Sequence, residues 1–138
     1  MTLVIKCEPI DSFKRKLQKL VRKTHAFRHW RGAELLMRHG FRTAEPKAVV
    51  YGRRDGVEVE CLIMEALAGK TVLAFMSESH EVTELKRLTE SLADHLAQLW
   101  RRGLFNRDSK PSNLIVGDGA SSIIELDVAG FVSPRWLN

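Results

Sequence analysis

This chain lacks several things, and each lack narrows what it can be. No apolar stretch in its 138 residues approaches the ~18 needed to cross a bilayer. Acids and a proline stand within the first twelve residues, where a secretory leader would need an apolar run. The expectation is a cytoplasmic protein, at most peripheral on the inner face of the cell membrane. Cysteine is scarce: Cys7 and Cys61 lie far apart, each in an apolar run. That predicts buried thiols in a reducing compartment, not a disulfide framework or a zinc site. Internal repeats and low-complexity segments are missing too. Acid is absent from Ser12 to Ala33, where Lys14, Arg15, Lys16, Lys19, Arg22, Lys23, Arg28 and Arg31 carry much of the net charge of +5. A basic helix over 12–31 can meet anionic lipid, nucleic acid or a phosphorylated substrate, or can simply face water. A nucleic-acid partner is the weaker reading, because neither interleaved aromatics nor a recognition motif is present. His25 and His29 stand at i, i+4, yet no carboxylate or cysteine is near them in sequence, so zinc is not expected.

What remains is an ordinary globular composition, 44% hydrophobic and 28% charged, at the length of one domain. Leu3-Val4-Ile5 reads as a short strand ending in Lys6. Asp11 or Ser12 can cap a helix whose apolar residues are Phe13, Leu17, Leu20 and Val21. A second helical stretch carries Phe27, Trp30 and Met37 and stops near Gly40. Ala48 to Tyr51 and Val57 to Met64 read as strands joined across Arg53-Arg54-Asp55-Gly56, with Asp-Gly as the hairpin signal. From about Val82 to Arg102 the stripe Leu85, Leu88, Leu92, Leu96, Leu99 predicts a long helix, with Arg101 and Arg102 at its negative end and Gly103 as its stop. Leu114-Ile115-Val116 and Ile123-Ile124-Glu125-Leu126 form a second hairpin across Gly117-Asp118-Gly119.

Between the long helix and that hairpin lies the most informative segment, Asn106-Arg107-Asp108-Ser109-Lys110-Pro111-Ser112-Asn113. Arg-Asp, Lys-Pro two residues on, and Asn five after the Asp form a pattern suited to phosphoryl transfer. That chemistry needs a carboxylate to orient the attacking hydroxyl and an amide oxygen to hold a magnesium ion. A short loop entering a strand presents both. Asn, Asp, Ser and Pro are also turn formers, but a plain turn does not account for matched positions at fixed offsets followed by a strand.

With this segment the chain resembles the bacterial lipopolysaccharide kinases (Kdo and core-heptose kinases), sugar-directed relatives of the protein kinases. The resemblance runs from about Val4 to Phe131. Beside the loop it rests on Arg28-His29-Trp30-Arg31 with Leu35-Leu36, on Gly40-Phe41-Arg42-Thr43-Ala44-Glu45-Pro46, on Leu62-Ile63-Met64-Glu65-Ala66-Leu67-Ala68-Gly69 and on Ile123-Ile124-Glu125-Leu126-Asp127. It implies an α+β, protein-kinase-like fold in partial form, with residues 1–69 as a small-lobe-like part and 70–138 as the start of a large lobe. It implies ATP and magnesium as cofactors and a sugar or lipopolysaccharide-core hydroxyl as acceptor, or else a protein Ser or Thr. Asp108 would then be the base, Lys110 a stabiliser of the transferring phosphate and Asn113 a magnesium ligand. Lys6 would grip the α/β-phosphates, and Met64, Glu65 and Leu67 would form the adenine hinge. The second metal ligand is Asp127 on an Asp-x-x-Gly alignment or Glu125 on an Ile-Asp-apolar one; carboxylate length slightly favours Asp127.

The chain departs from that family in four ways. The helix glutamate that partners the strand lysine falls at His29, which cannot make the ion pair when neutral, and Glu34 lies off that face. The catalytic-loop histidine is Asn106. No glycine-rich phosphate loop precedes Lys6, and nothing after Phe131 resembles an activation segment or a helical lobe. These features imply a fragment or minimal relative with exposed apolar surface on the long helix, and they keep open an inactive pseudokinase or binding module.

Overall fold

The computed structural model describes residues 1–133; the last five residues of the 70–138 part lie outside them. The chain opens with β1 (Leu3–Pro9), α1 (Phe13–Leu20), α2 (His25–Arg38), β2 (Pro46–Arg54) and β3 (Val57–Glu65). The three strands make one antiparallel sheet in the order β1-β3-β2. Asp55 and Gly56 close the β2–β3 hairpin with φ of 51° and 79°, the paired left-handed values that a tight hairpin turn requires.

The cysteines overturn the expectation of two buried thiols. Cys7 lies opposite Cys61 in the β1–β3 register, their Cα atoms are 4.0 Å apart, and the two are joined in a disulfide. Cys7 is exposed and only Cys61 is buried. A separation of 54 residues hid a pairing that register alone creates.

Nor is the basic run one helix. α1 starts where Ser12 Oγ accepts the Arg15 N–H at 3.2 Å, and it ends at Leu20. Arg22 then takes a left-handed φ of 51°, and α2 begins at His25. α2 buries Ala26, His29, Gly32, Ala33 and Leu36, while Met37 is exposed. A small-residue face lets α2 lie close to the segment after β7. A Cβ added at Gly32 would stand 1.8 Å from the Val128 carbonyl oxygen.

The second half adds β4 (Lys70–Thr71), α3 (Val72–Met76), α4 (Val82–Arg101), β5 (Phe105–Asn106), β6 (Leu114–Gly117), β7 (Ser122–Glu125) and β8 (Phe131–Val132). β4-β6-β7 form one small sheet and β5-β8 another. α4 matches the helix read from the leucine repeat, with Gly103 (φ 65°) just past its end. Leu88 and Leu99 are buried, whereas Leu85, Leu96 and Trp100 are exposed, so the expected apolar surface on this helix is present.

Three apolar clusters hold the elements together. Ala26, Ala44, Leu62 and Met64 pack α2 on the first sheet. Val72, Leu88, Leu114, Val116 and Ala120 join α3 and α4 to β6. Ala33, Leu36, Leu99, Leu104, Val128 and Phe131 tie the halves to each other. Each fully buried Leu, Val or Phe contributes roughly 1.5–3 kcal/mol relative to exposure. Thr43 Oγ1 donates to the Glu125 carbonyl at 2.8 Å, a further link from the loop after α2 to β7.

Candidate active site

Asp108 sits in the loop between β5 and β6, whose shape is set by backbone contacts on both sides. Arg107 N–H donates to the Gly130 carbonyl at 3.1 Å, and Leu126 N–H donates to the Asn113 carbonyl at 2.8 Å. The loop is thereby stitched to Leu126–Gly130, the segment that carries Asp127. Gly130 permits the close approach: a Cβ there would lie 2.5 Å from Asn106 Oδ1 and 3.0 Å from the Asp108 nitrogen.

Within the loop the predicted residues meet. Asn113 Nδ2 donates to the Asp108 carbonyl at 3.0 Å and reaches its carboxylate at 3.4 Å. Lys110 Nζ lies 3.4 Å from the other carboxylate oxygen, and both side chains are more than half exposed. Asn113 is itself buried, and both of its described side-chain bonds use Nδ2, which leaves Oδ1 for a cation.

The two candidate metal acids part company here. Glu125 is fully buried; its Oε1 accepts from His95 Nε2 at 2.9 Å, and its Oε2 lies 3.3 Å from Asn106 Nδ2. Asn106, in the place of the loop histidine, thus bonds Glu125, and its Oδ1 accepts the Asp108 N–H at 3.0 Å. Asp127 instead lines a cleft of about 430 Å³ with His25, Arg28, Arg107, Asp108, Ala129 and Gly130.

Asp127 has company that sequence reading missed. His25 Nε2 lies 3.1 Å from Oδ2, Ala129 N–H donates to Oδ1 at 3.1 Å, and His29 Nδ1 stands 3.8 Å from Oδ1, too far for a hydrogen bond. Burial alone would raise the Asp127 carboxyl. The hydrogen bond from His25, the nearby His29 and the Ala129 N–H together reverse that and hold it well below the usual carboxylate range. His25 is pushed up from 6.5 by the same bond, against an opposing effect of its own burial, with Glu8 4.0 Å from its other nitrogen. His29 is completely buried, and neither ring nitrogen has a partner among the described residues. The i, i+4 histidines thus do meet a carboxylate, one that lies 102 residues from His25 in sequence. No group of three or more metal-type ligands occurs among the described residues.

Lys6 is half-buried on β1, opposite Leu62. Its charge is near enough to oppose protonation of His25, but it does not line the cleft. Glu34 is turned to other work, accepting from Trp30 Nε1 at 3.2 Å. In the hinge segment Met64 is buried in the sheet, Glu65 N–H donates to Glu45 and Ala66 N–H to Thr2. Leu67 packs against the cluster of Leu62 and Met64. The Asp127 carboxylate and the Asn113 amide carry oxygen donors of the kind magnesium takes, but Asn113 does not line the cleft of Asp127.

No family model and no curated protein matches the chain. Solved structures do. A 2.2 Å crystal structure of WbdD matches with a TM-score of 0.66 at 19% identity, over 98% of this chain and 30% of that one. A structure of WbdD described as a bifunctional kinase-methyltransferase matches with a TM-score of 0.66 at 19% identity, over 99% and 29%. A co-crystal of WbdD with the kinase inhibitor LY294002 matches with a TM-score of 0.62 at 22% identity, over 99% and 30%. The fold is that of part of these chains, a partial kinase-like fold. The chain spans about 30% of the length of the solved chains it matches.

Proposed function

We propose that this chain is a phosphotransferase that uses ATP and magnesium and phosphorylates a sugar hydroxyl, of the lipopolysaccharide-core type or, failing that, a protein Ser or Thr. One observation carries the reading: Asp108 and Asn113 are hydrogen-bonded to each other, and the Asn113 carbonyl is bonded to Leu126, next to Asp127. Asp108, exposed at the cleft, orients the acceptor hydroxyl and takes its proton. Asn113 and Asp127 hold the magnesium ion, which neutralises charge on the phosphates when bound. Lys110 stabilises the transferring group. The resemblance further assigns Lys6 to the α/β-phosphates and Met64, Glu65 and Leu67 to adenine; the geometry adds no support there, because Lys6 does not line the cleft and Met64 is buried in the sheet.

The test couples binding to turnover. Magnesium-ATP raises the melting temperature more than ATP with chelator does. Asp108→Asn leaves that shift almost unchanged yet lowers phosphate transfer to a core sugar by a factor on the order of 10² or more. Measurable transfer that survives Asp108→Asn rejects the enzyme reading. A second reading, a pseudokinase or binding module, is favoured by His29, which is buried with neither ring nitrogen partnered among the described residues, at the position the resemblance gives to the lysine's acidic partner. ATP binding without transfer decides for it.

A further inference from the structure

Helix α1 is mounted with its polar face inward. Arg15 Nη1 donates to the Pro9 carbonyl at 2.5 Å, and its Nε lies 3.9 Å from Asp11. Lys19 Nζ donates to Glu58 and stands 4.2 Å above the Tyr51 ring. Arg15, Gln18 and Lys19 are the half-buried residues of the helix, at the i, i+3, i+4 spacing of one face. The opposite stripe is open: Phe13 is 82% exposed, Leu17 51%, Leu20 80% and Val21 49%. An amphipathic helix on a globular protein ordinarily turns such a stripe to the core.

The surroundings say what covers it. Lys14 and Lys16 are exposed and border the stripe at helical spacing, and Arg22 and Lys23 follow at the exposed end. A shallow groove of about 510 Å³ continues the face through Lys16, Leu20, Arg22, Phe27 and Tyr51, and the acid in its lining, Glu58, is paired with Lys19. Of the eight cations between Ser12 and Ala33, Lys14, Lys16, Arg22 and Lys23 lie at this stripe, whereas Arg15 and Lys19 are turned inward and Arg28 lines the cleft. Two such faces repel each other, which disfavours a second copy of this chain. A nucleic-acid backbone would use the charge and leave Phe13, Leu17 and Leu20 in water. A bilayer surface rich in anionic lipid uses both, since aliphatic side chains enter the acyl boundary while lysines meet headgroup phosphates.

We propose that α1, with the turn that leads into α2, is a docking face for an anionic lipid bilayer. The face is separate from the phosphotransfer reading, because none of its residues lines the cleft of Asp108 and Asp127. It is nonetheless directional: α1 runs into α2, whose first turn supplies His25 and Arg28 to that cleft.

The experiment is co-sedimentation of the full chain with phosphatidylglycerol–phosphatidylcholine vesicles and with phosphatidylcholine vesicles alone. Binding to the anionic vesicles alone is expected, weakening steeply as salt shortens the screening length to about 10 Å at 0.1 M. Leu17→Ser with Leu20→Ser lowers affinity by a factor on the order of 10². Lys14→Gln with Lys16→Gln lowers it about tenfold or more. All four side chains are exposed, so both double variants melt like the parent. Equal binding to neutral vesicles, no binding, or leucine variants that bind like the parent overturns the proposal. Duplex DNA binding indifferent to the leucine pair assigns the face to nucleic acid. A dimer lost on the leucine changes assigns it to a second copy.

Discussion

Glu125 and Asp127 stand two residues apart, and their surroundings give them opposite work. Glu125 is sealed in, with both oxygens engaged by His95 and Asn106. Removing it leaves buried donors without acceptors, at roughly 1–3 kcal/mol for the desolvated groups. Asp127 lies in the cleft, and His25 takes one lone pair of Oδ2, which leaves others for a cation. Glu125→Ala is therefore expected to lower the denaturant midpoint by about that amount while the folded fraction keeps its magnesium-dependent response to ATP. Asp127→Asn should do the reverse, erasing the magnesium increment in melting temperature at a smaller stability cost. Midpoints and nucleotide shifts measured side by side on the two variants check this, and exchanged phenotypes would hand the metal to Glu125. The ambiguity in the sequence was real, because both alignments are one short motif wide. Burial separates them, and burial depends on partners that sequence spacing does not reveal.

α4, α1 and α2 were legible to different depths, and for different reasons. The leucine stripe of α4 runs from Leu85 to Leu99 within a helix of 20 residues, so period and caps gave its bounds to within one residue. In α1 the period and the Ser12 cap gave the helix, but periodicity reports that an apolar face exists and not which way it is turned; Arg15 and Lys19 decide that through Pro9 and Glu58. α2 was the least legible, since its buried face carries one large apolar residue, Leu36, and is otherwise made of small residues and a histidine. Phe27, Trp30 and Met37, which suggested the helix, flank that face. The small residues have a testable purpose. With 1.8 Å between a Cβ at Gly32 and the Val128 carbonyl, Gly32→Ala must push α2 away from the Asp127–Gly130 segment. Better helix propensity is worth at most about 1 kcal/mol in its favour, whereas overpacking against backbone costs typically 1–3 kcal/mol. Net destabilisation is expected, read as a lower urea midpoint. A variant as stable as the parent would mean that α2 does not rest on this segment.

At the scale of the whole chain, the longer elements were readable because each has a local signature: a strand with lysine, helices, a hairpin, a long helix, a polar loop and a second hairpin; β4, α3, β5 and β8, two to five residues each, were not. The contacts that join distant elements have none. Asp127 meets His25 across 102 residues, and Cys7 meets Cys61 across 54, so the carboxylate beside the histidines and the bond between the cysteines were missed where the chain folds back on itself. The cysteine pairing has the larger thermodynamic consequence. β1 is an edge strand whose residues are mostly exposed, held by β3 on one side only. The disulfide closes a loop of that length in the unfolded chain and removes about 4 kcal/mol of its conformational freedom on the loop-entropy model, with measured effects more often 2–4 kcal/mol. Against a total stability of roughly 5–15 kcal/mol that is a substantial share. Dithiothreitol is thus expected to lower the urea midpoint of the wild-type chain, and Cys7→Ser with Cys61→Ser should start at that lower value and ignore the reductant. Thiol titration of the denatured, unreduced protein supplies the independent reading. No titratable thiol before reduction and both after it is the expected result; two free thiols at the outset, with a midpoint indifferent to reductant, would restore the separate thiols that sequence alone suggested.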